Sequence, residues 1–316
     1  MPSSAEAATG HQRYDGSVFE AIGTVWRIGA GAHTDARLGD PLDAQTLAAV
    51  LARIEQFDHD WSRFRDDGFV GRVAREPGIH QLPADAPPLF SLYRELHAAT
   101  AGRLSPLVGR SLEQLGYDAE YRLRPAGEPV AAPQWDDAIA VRASSTGLTL
   151  ETVAPVVLDV GAAGKGYLVD LVGEVLVANG VTDSVVDAGG DARVRGERST
   201  RVALEHPADA SKAVGLVELR DAAIAASAPN RRAWGDGLHH IIDALSGHPV
   251  AERAVATWVI APTAMLADGI ATAMFLADPE ELGARFEVEW AMMGRDGSWR
   301  SSAQWPGELF AKGERT

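Results

Sequence analysis

The segment 158–170, LDVGAAGKGYLVD, constrains the chain most. An apolar run turns through Gly161, Gly164 and Gly166 around a lone Lys165, then resumes as an apolar, helix-like stretch that stops at Asn179 and Gly180. A buried strand that feeds a helix through a tight turn accounts for this pattern. Glycines let the backbone turn where side chains would clash and let a ligand approach main-chain N–H groups, while the helix start adds partial positive charge and Lys165 a full one. Together these form an anion cradle suited to phosphate. The spacing matches neither G-x-x-x-x-G-K-[ST] nor G-x-G-x-x-G, so it is no P-loop or Rossmann fingerprint. A glycine-rich helix start with a solvated lysine would read the same.

Local devices are needed for any anionic ligand, because the 316 residues carry a formal charge of −15. That charge argues against nucleic acid and against an anionic membrane surface as partners. With 46% hydrophobic and 23% charged residues, the chain has an ordinary globular composition. It has no cysteine, which excludes disulfides, thiolate metal ligands and a thiol nucleophile. No apolar run reaches the roughly 18 residues of a membrane span, and the first residues lack a secretory signal, so membrane insertion is not expected and a cytoplasmic location is. Residues 1–17, small and polar, are expected to be disordered, and 18–316 to form a single domain.

FEAIGTVWRIGAGA, from Phe19, reads as a strand broken by a turn at Gly23 and Thr24. PLDAQTLAAVLARIEQFDHDWSRF reads as a helix after an Asp43 cap, and PPLFSLYRELHAATAG as another that stops at Gly102. VRASSTGLTLE reads as a hairpin. Past Pro207, AVGLVEL, LHHIIDAL and AVATWVIAP read as strands and AMLADGIATAMFLA as a helix. The absence of a regular βαβ beat predicts a mixed α/β fold, α+β in type, with much antiparallel sheet.

Three further segments carry chemistry. In DAGGDARVRG, Asp187 and Asp191 bracket Gly189 and Gly190, placing two carboxylates on a turn that a ligand can approach; an acidic hairpin turn is the plainer reading. In LHHIIDALSGHPV, strand alternation sends His239 and His240 to opposite faces, so one of them looks into a given cleft, where it can act as a general base. The pair with Asp243 raises zinc, but neighbours on a strand point apart. In APTAMLADGIATAMFLA, Asp268 and Thr272 lie four residues apart and share a helix face, an oxygen pair suited to Mg2+ with carbonyls and phosphates completing the shell. A carboxylate beside a hydroxyl that bonds its own backbone is the bland alternative.

These four segments, in this order, resemble the successive motifs of the ApbE family, the FAD:protein FMN transferases. AIGTVWRI resembles the family's Met-Gly-Thr strand, WSRFRDDGFVGRV its Ser-x-[Tyr/Phe]-x-x-x-Ser segment, and TAGRLSPLV falls at its Gly-Ala-Phe-Asp-Pro-Thr-Val element. The resemblance runs from about Phe19 to Leu276. It implies two interlocked T-fold-like lobes with the nucleotide between them, and an enzyme that splits FAD, joins FMN to a Thr or Ser of an acceptor protein through a phosphoester and releases AMP.

The resemblance further implies that FAD, as substrate, is contacted by Asp159, Gly161 and Lys165, and by Ile22, Gly23, Thr24, Phe64, Arg103, Leu104, Ser105, Gly189, Gly190, Asp191, Ser227 and Ile242. Mg2+ maps onto the carbonyls of Ala162 and Ala271, the Asp268 carboxylate and the Thr272 hydroxyl. His240, or else His239, takes the proton of the acceptor hydroxyl. The chain departs from the family at Ile22, at Leu104 and Ser105 in place of Phe-Asp, and at Ala226 and Ala228 beside Ser227. An FAD pyrophosphatase giving FMN and AMP, and a non-catalytic FAD-binding protein, are the alternatives.

Overall fold

Alternation along the strands sets the architecture, because the central sheet is buried on both faces and sends successive side chains into two different cores. The computed structural model describes residues 16–31, 39–145, 147–251 and 254–310. Eight strands form one sheet in the spatial order Ser17–Ala21, Thr24–Ala30, Ser184–Asp187, Asp191–Arg195, Ala223–Ser227, Ala256–Ala261, Glu289–Met293 and Trp299–Ser301. Its pairings are all antiparallel. Val186, Ala225, Val259 and Met292 join the larger core, while their neighbours Val185, Ile224, Trp258 and Met293 join a second one.

Helices Ala44–Trp61, Ala86–Ala99, Gly164–Ala178 and Ala264–Ala273 fill the larger core. The second core is closed by a three-stranded sheet, Gly307–Leu309, Asp209–Leu219 and Thr200–His206. A further three-stranded sheet orders Gly78–Gln81, Gly147–Thr152 and Ile139–Ser144. The result is the mixed α/β class read from the sequence, and its antiparallel order explains the missing βαβ beat.

Two helices position the site, and the sequence dictates how closely they meet. Helix Gly164–Ala178 is apolar on nearly every side and is accordingly buried. It crosses helix Ala264–Ala273 at Gly166, where a Cβ would stand 2.1 Å from the Ala264 carbonyl oxygen and 2.7 Å from Asp268 Cβ. Asp170 locks the pair: its two carboxylate oxygens accept the Ala264 and Met265 N–H groups at 2.9 and 2.8 Å, satisfying donors that a helix start leaves free. Thr263 adds a third cap by accepting from Leu266 N–H at 3.2 Å.

Helix Ala44–Trp61 starts at the expected cap, where Asp43 accepts from Gln45 and Thr46 N–H, each at 2.9 Å. Its buried Val50, Ile54, Phe57 and Trp61 keep helical spacing. It ends at Trp61 rather than running to Phe64, which frees Ser62, Arg63 and Phe64 from helical geometry.

The strand expected across LHHIIDAL is corrected. Only Leu238–His239 is extended, paired with Ala233–Trp234, and the chain then bends to a single bridge between Ile242 and Pro249. The cause is the turn that follows: Asp243 accepts Leu245 N–H through its side chain at 3.0 Å and Gly247 N–H through its carbonyl at 2.8 Å, with Gly247 at a φ of 75°. The last sequence-read helix is also shorter, ending at Ala273. Beyond it the structure adds helix Pro279–Phe286, capped by Asp278, and the strands that complete both sheets. The hairpin of VRASSTGLTLE is present as Ile139–Ser144 against Gly147–Thr152, with Thr146 outside the described residues. Residues 1–15 of the segment 1–17 lie outside them too, and Ser17 opens the first strand. Among the described residues no helix is long and apolar enough to cross a membrane.

Candidate active site

A cleft of about 890 Å3 opens where the glycine-rich turn, the DAGGD turn and the segments around Phe64, Ser105, Ser227 and His240 meet. That volume lies at the upper end of the roughly 300–1,000 Å3 typical of small-molecule sites. On its floor Lys165 Nζ lies 2.8 Å from Asp191 Oδ2 and 3.5 Å from the Ala188 carbonyl oxygen. Asp191 is fully buried, and neither of its carboxylate oxygens has an aligned hydrogen-bond donor. Asp268 is also buried, and its Oδ2 accepts Gly166 N–H at 2.9 Å. Desolvation, then the neighbouring Asp191 charge, pushes the Asp268 carboxyl well above the usual carboxylate range.

Two buried carboxylates share one lysine, and a divalent cation bound there would favour the ionised form of Asp268. The oxygens fit such an ion. Thr272, one turn from Asp268, lines the cleft with its Oγ1 3.0 Å from Ser227 Oγ. The Ala271 carbonyl accepts from Thr257 Oγ1 at 2.8 Å, and Ala271 itself is fully buried behind the cleft lining. Ala162 lies on the cleft wall. Among the described residues no three His, Cys, Asp or Glu side chains gather around a metal position, so carbonyls, the Thr272 hydroxyl and ligand oxygens would have to complete a shell around Asp268.

The glycines divide into two kinds. Gly189 and Gly190 sit at φ of 67° and 111°, and a Cβ on Gly189 would stand 2.2 Å from Thr24 Oγ1, so the turn between the two strands needs both. Gly161 and Gly166 have no such φ; a Cβ at Gly166 would meet the backbone of Ala264, and one at Gly161 would crowd Asp159 Oδ1 at 2.9 Å. Asp159 braces the turn from the other side, accepting Gly161 N–H at 2.8 Å through Oδ1 and Arg63 Nε–H at 2.7 Å through Oδ2.

The adjacent histidines have separate environments. His239 is buried outside the cleft, with Nε2 donating to the Val250 carbonyl at 3.2 Å and Nδ1 accepting Ile241 N–H at 3.3 Å. Burial lowers its pKa. His240 lines the cleft, and its Nδ1 is buried without a partner. Burial, with the Arg232 charge next, pulls the His240 imidazole down to about 4, so it is neutral near pH 7. The His239 alternative for proton transfer is therefore not favoured by the geometry, since both of its ring nitrogens are occupied away from the cleft.

Of the sequence-read contacts, Ile22, Gly23, Thr24, Phe64, Leu104, Ser105, Asp159, Gly161, Lys165, Gly189, Gly190, Ser227 and Ile242 all line the cleft. Asp191 lies behind Lys165. Arg103 is directed elsewhere: it is about half exposed and pairs with Asp243 Oδ2 at 2.8 Å, holding the His-to-Gly247 loop instead. Ser105 is spent locally, accepting Leu107 N–H at 3.2 Å.

Sequence reading found Phe64 but missed the aromatic wall around it and its cation. Phe64 stacks on Tyr121 at 5.2 Å and meets Tyr117 edge-on at 5.5 Å, while Tyr117 stacks on Trp234 at 5.3 Å. The Arg63 guanidinium packs 4.2 Å from the Phe64 ring centroid and 4.8 Å from that of Tyr117. Arg63 stands inside a motif already singled out, but nothing local marks its pairing with Asp159, 96 residues away.

The fold is a mixed α/β one whose cleft gathers Lys165, Asp268, Thr272 and His240. Residues 22–290 match the ApbE family, and the chain belongs to that family. The chain is 26% identical over 286 residues to the FAD:protein FMN transferase of Klebsiella pneumoniae, covering 83% of this chain and 78% of that protein. It is 28% identical over 258 residues to the one of Vibrio cholerae, covering 75% of each. The fold matches the flavin transferase ApbE from Vibrio cholerae with a TM-score of 0.74 and 22% identity, over 92% of this chain and 97% of that one. It matches the ApbE protein of Thermotoga maritima with a TM-score of 0.76 and 21% identity, over 91% and 96%.

Proposed function

We propose that the chain is a Mg2+-dependent FAD:protein FMN transferase that joins FMN through a phosphoester to a Thr or Ser of an acceptor protein, in the cytoplasm, and releases AMP. The observation that carries this reading is the meeting of Lys165, Asp268 and Thr272 with the neutral imidazole of His240 on one cleft. The names of the relatives point the same way.

Lys165 supplies positive charge to the pyrophosphate, and the aromatic wall offers faces on which a planar ring can stack. The acceptor hydroxyl oxygen attacks the phosphorus of the FMN half, and its proton passes to His240. The bond from that phosphorus to the bridging oxygen breaks, and AMP leaves with the electron pair. A base of low pKa suits this only beside an anion, and the pyrophosphate is that anion: its charge raises the imidazole toward neutrality. Mg2+, held by Asp268, Thr272 and the Ala162 and Ala271 carbonyls, would neutralise phosphate charge.

The test is incubation with FAD and Mg2+, with and without a flavin-accepting protein, reading AMP, free FMN and acid-stable protein-bound flavin. Acceptor-dependent AMP with bound flavin supports the transferase. Acceptor-independent AMP with free FMN would replace it by a pyrophosphatase, and bound FAD without AMP by a binding protein.

A further inference from the structure

Five lysine or arginine side chains line the cleft, and four are already committed to carboxylates. Arg63 pairs with Asp159 at 2.7 Å, Lys165 with Asp191 at 2.8 Å and Arg231 with Glu205 at 2.7 Å. Arg65 is held by Glu55 at 2.7 Å and by Asp58 and Asp67 at 3.3 Å each. Of these five, Arg232 is the one with no ion pair or side-chain hydrogen bond among the described residues. It is exposed at the end of the short helix Pro229–Arg232 and faces the cleft. Its carbonyl accepts His240 N–H at 3.2 Å, which fixes the backbone of one residue against the other.

We propose that Arg232 is a substrate-binding residue whose guanidinium grips the dinucleotide phosphate that stands beside His240. The proposal rests on the reading of the cleft as a flavin-dinucleotide site and adds to it a contact that the motifs did not indicate. Three physical arguments support it. In a protein of net charge −15 an unpaired cation facing a cleft is free to meet a ligand's charge. A guanidinium presents paired N–H donors that match two phosphate oxygens, and a lysine does not. A cation beside the base can also meet the oxygens on which charge gathers as the hydroxyl attacks. Arg232 lines the same cleft as His240 and the aromatic residues Tyr117 and Trp234.

Arg232→Gln and Arg232→Lys, compared with the unaltered protein, test this by flavin-fluorescence titration with FAD, FMN and riboflavin and by AMP release with FAD and Mg2+. For Arg232→Gln, FAD and FMN affinity should fall about tenfold or more and riboflavin affinity should stay within twofold, since only the phosphate contact is lost. AMP release should fall about 100-fold, with Arg232→Lys recovering part of the affinity. Equal losses for all three flavins, or FAD affinity and AMP release both within twofold of the parent, would overturn the proposal. If the parent binds FAD but never releases AMP, the transferase reading fails, while the FAD-against-riboflavin comparison still decides the role of Arg232.

Discussion

Gly166→Ala tests whether the site depends on how closely two helices touch. The added methyl would stand 2.1 Å from the Ala264 carbonyl oxygen, 2.6 Å from its carbon and 2.7 Å from Asp268 Cβ. Ordinary contact needs at least 3.4 Å, so the aspartate helix must retreat by about 1 Å. Two of those obstacles are backbone and the third is a Cβ, so no flexible side chain can yield. Overpacking of this kind costs about 1–3 kcal/mol, and the overlap argues for the upper part of that range. Against it stands the helical preference of alanine over glycine, about 0.5–1 kcal/mol, which is the smaller effect. A net loss of about 2 kcal/mol, with about 2.1 cal/mol/K of unfolding entropy per residue, lowers Tm by about 3 °C. Activity should suffer more, because a displacement of about 1 Å in a catalytic group can cost about 100-fold. Gly127→Ala is the control: a Cβ there meets nothing within 4 Å. Thermal unfolding and AMP release on both variants decide the matter. A Gly166→Ala protein with parental Tm and turnover would refute the claim that the glycine serves helix contact.

Asp268→Asn should reduce AMP release about 100- to 1,000-fold, yet raise Tm in the presence of a chelator at alkaline pH, because it replaces a buried carboxyl whose ionised form is disfavoured beside Asp191 by a neutral amide that still accepts Gly166 N–H; a lower Tm under those conditions would count against the electrostatic account. Arg63→Met strips Asp159 of its guanidinium and the aromatic wall of its cation, and should cost up to about 3 kcal/mol in urea unfolding with weaker FAD binding; parental values in both would exclude that role. The His240 pKa lies near 4 in the folded protein against 6.5 ordinarily, so between those pH values the unfolded chain binds a proton that the folded one does not. Stability is therefore lost as pH falls through that window and is untouched above it, and His240→Gln should lessen the loss. An NMR titration should find this imidazole neutral at pH 5.5 without FAD and shifted upward with it; a midpoint at or above 6.5 in the free protein would contradict the burial argument.

The sequence by itself determined the elements whose signals are local. Asp43 and the spacing of Val50, Ile54, Phe57 and Trp61 mark one helix, and the positive φ of Gly189 and Gly190 follows from a turn that only glycine closes easily. Asp268 and Thr272, one turn apart, face the same cleft because helical periodicity leaves them no other course. The motif order was enough to indicate the family.

Tertiary structure decided what depends on partners distant in the chain. Period-two reasoning separated His239 from His240 but assumed a strand that the Asp243–Gly247 turn cuts short, and only packing shows His239 held by Val250 and His240 on the cleft. Asp170 stands in the motif that drew attention first, yet its work, capping a helix 94 residues further on, is invisible until the two helices meet. Arg63 and Arg232 differ for the same reason. Both are arginines on one cleft, and the carboxylate that occupies the first and leaves the second free lies far away in sequence, brought there by burial of apolar surface that carries no record of which charges it will place together.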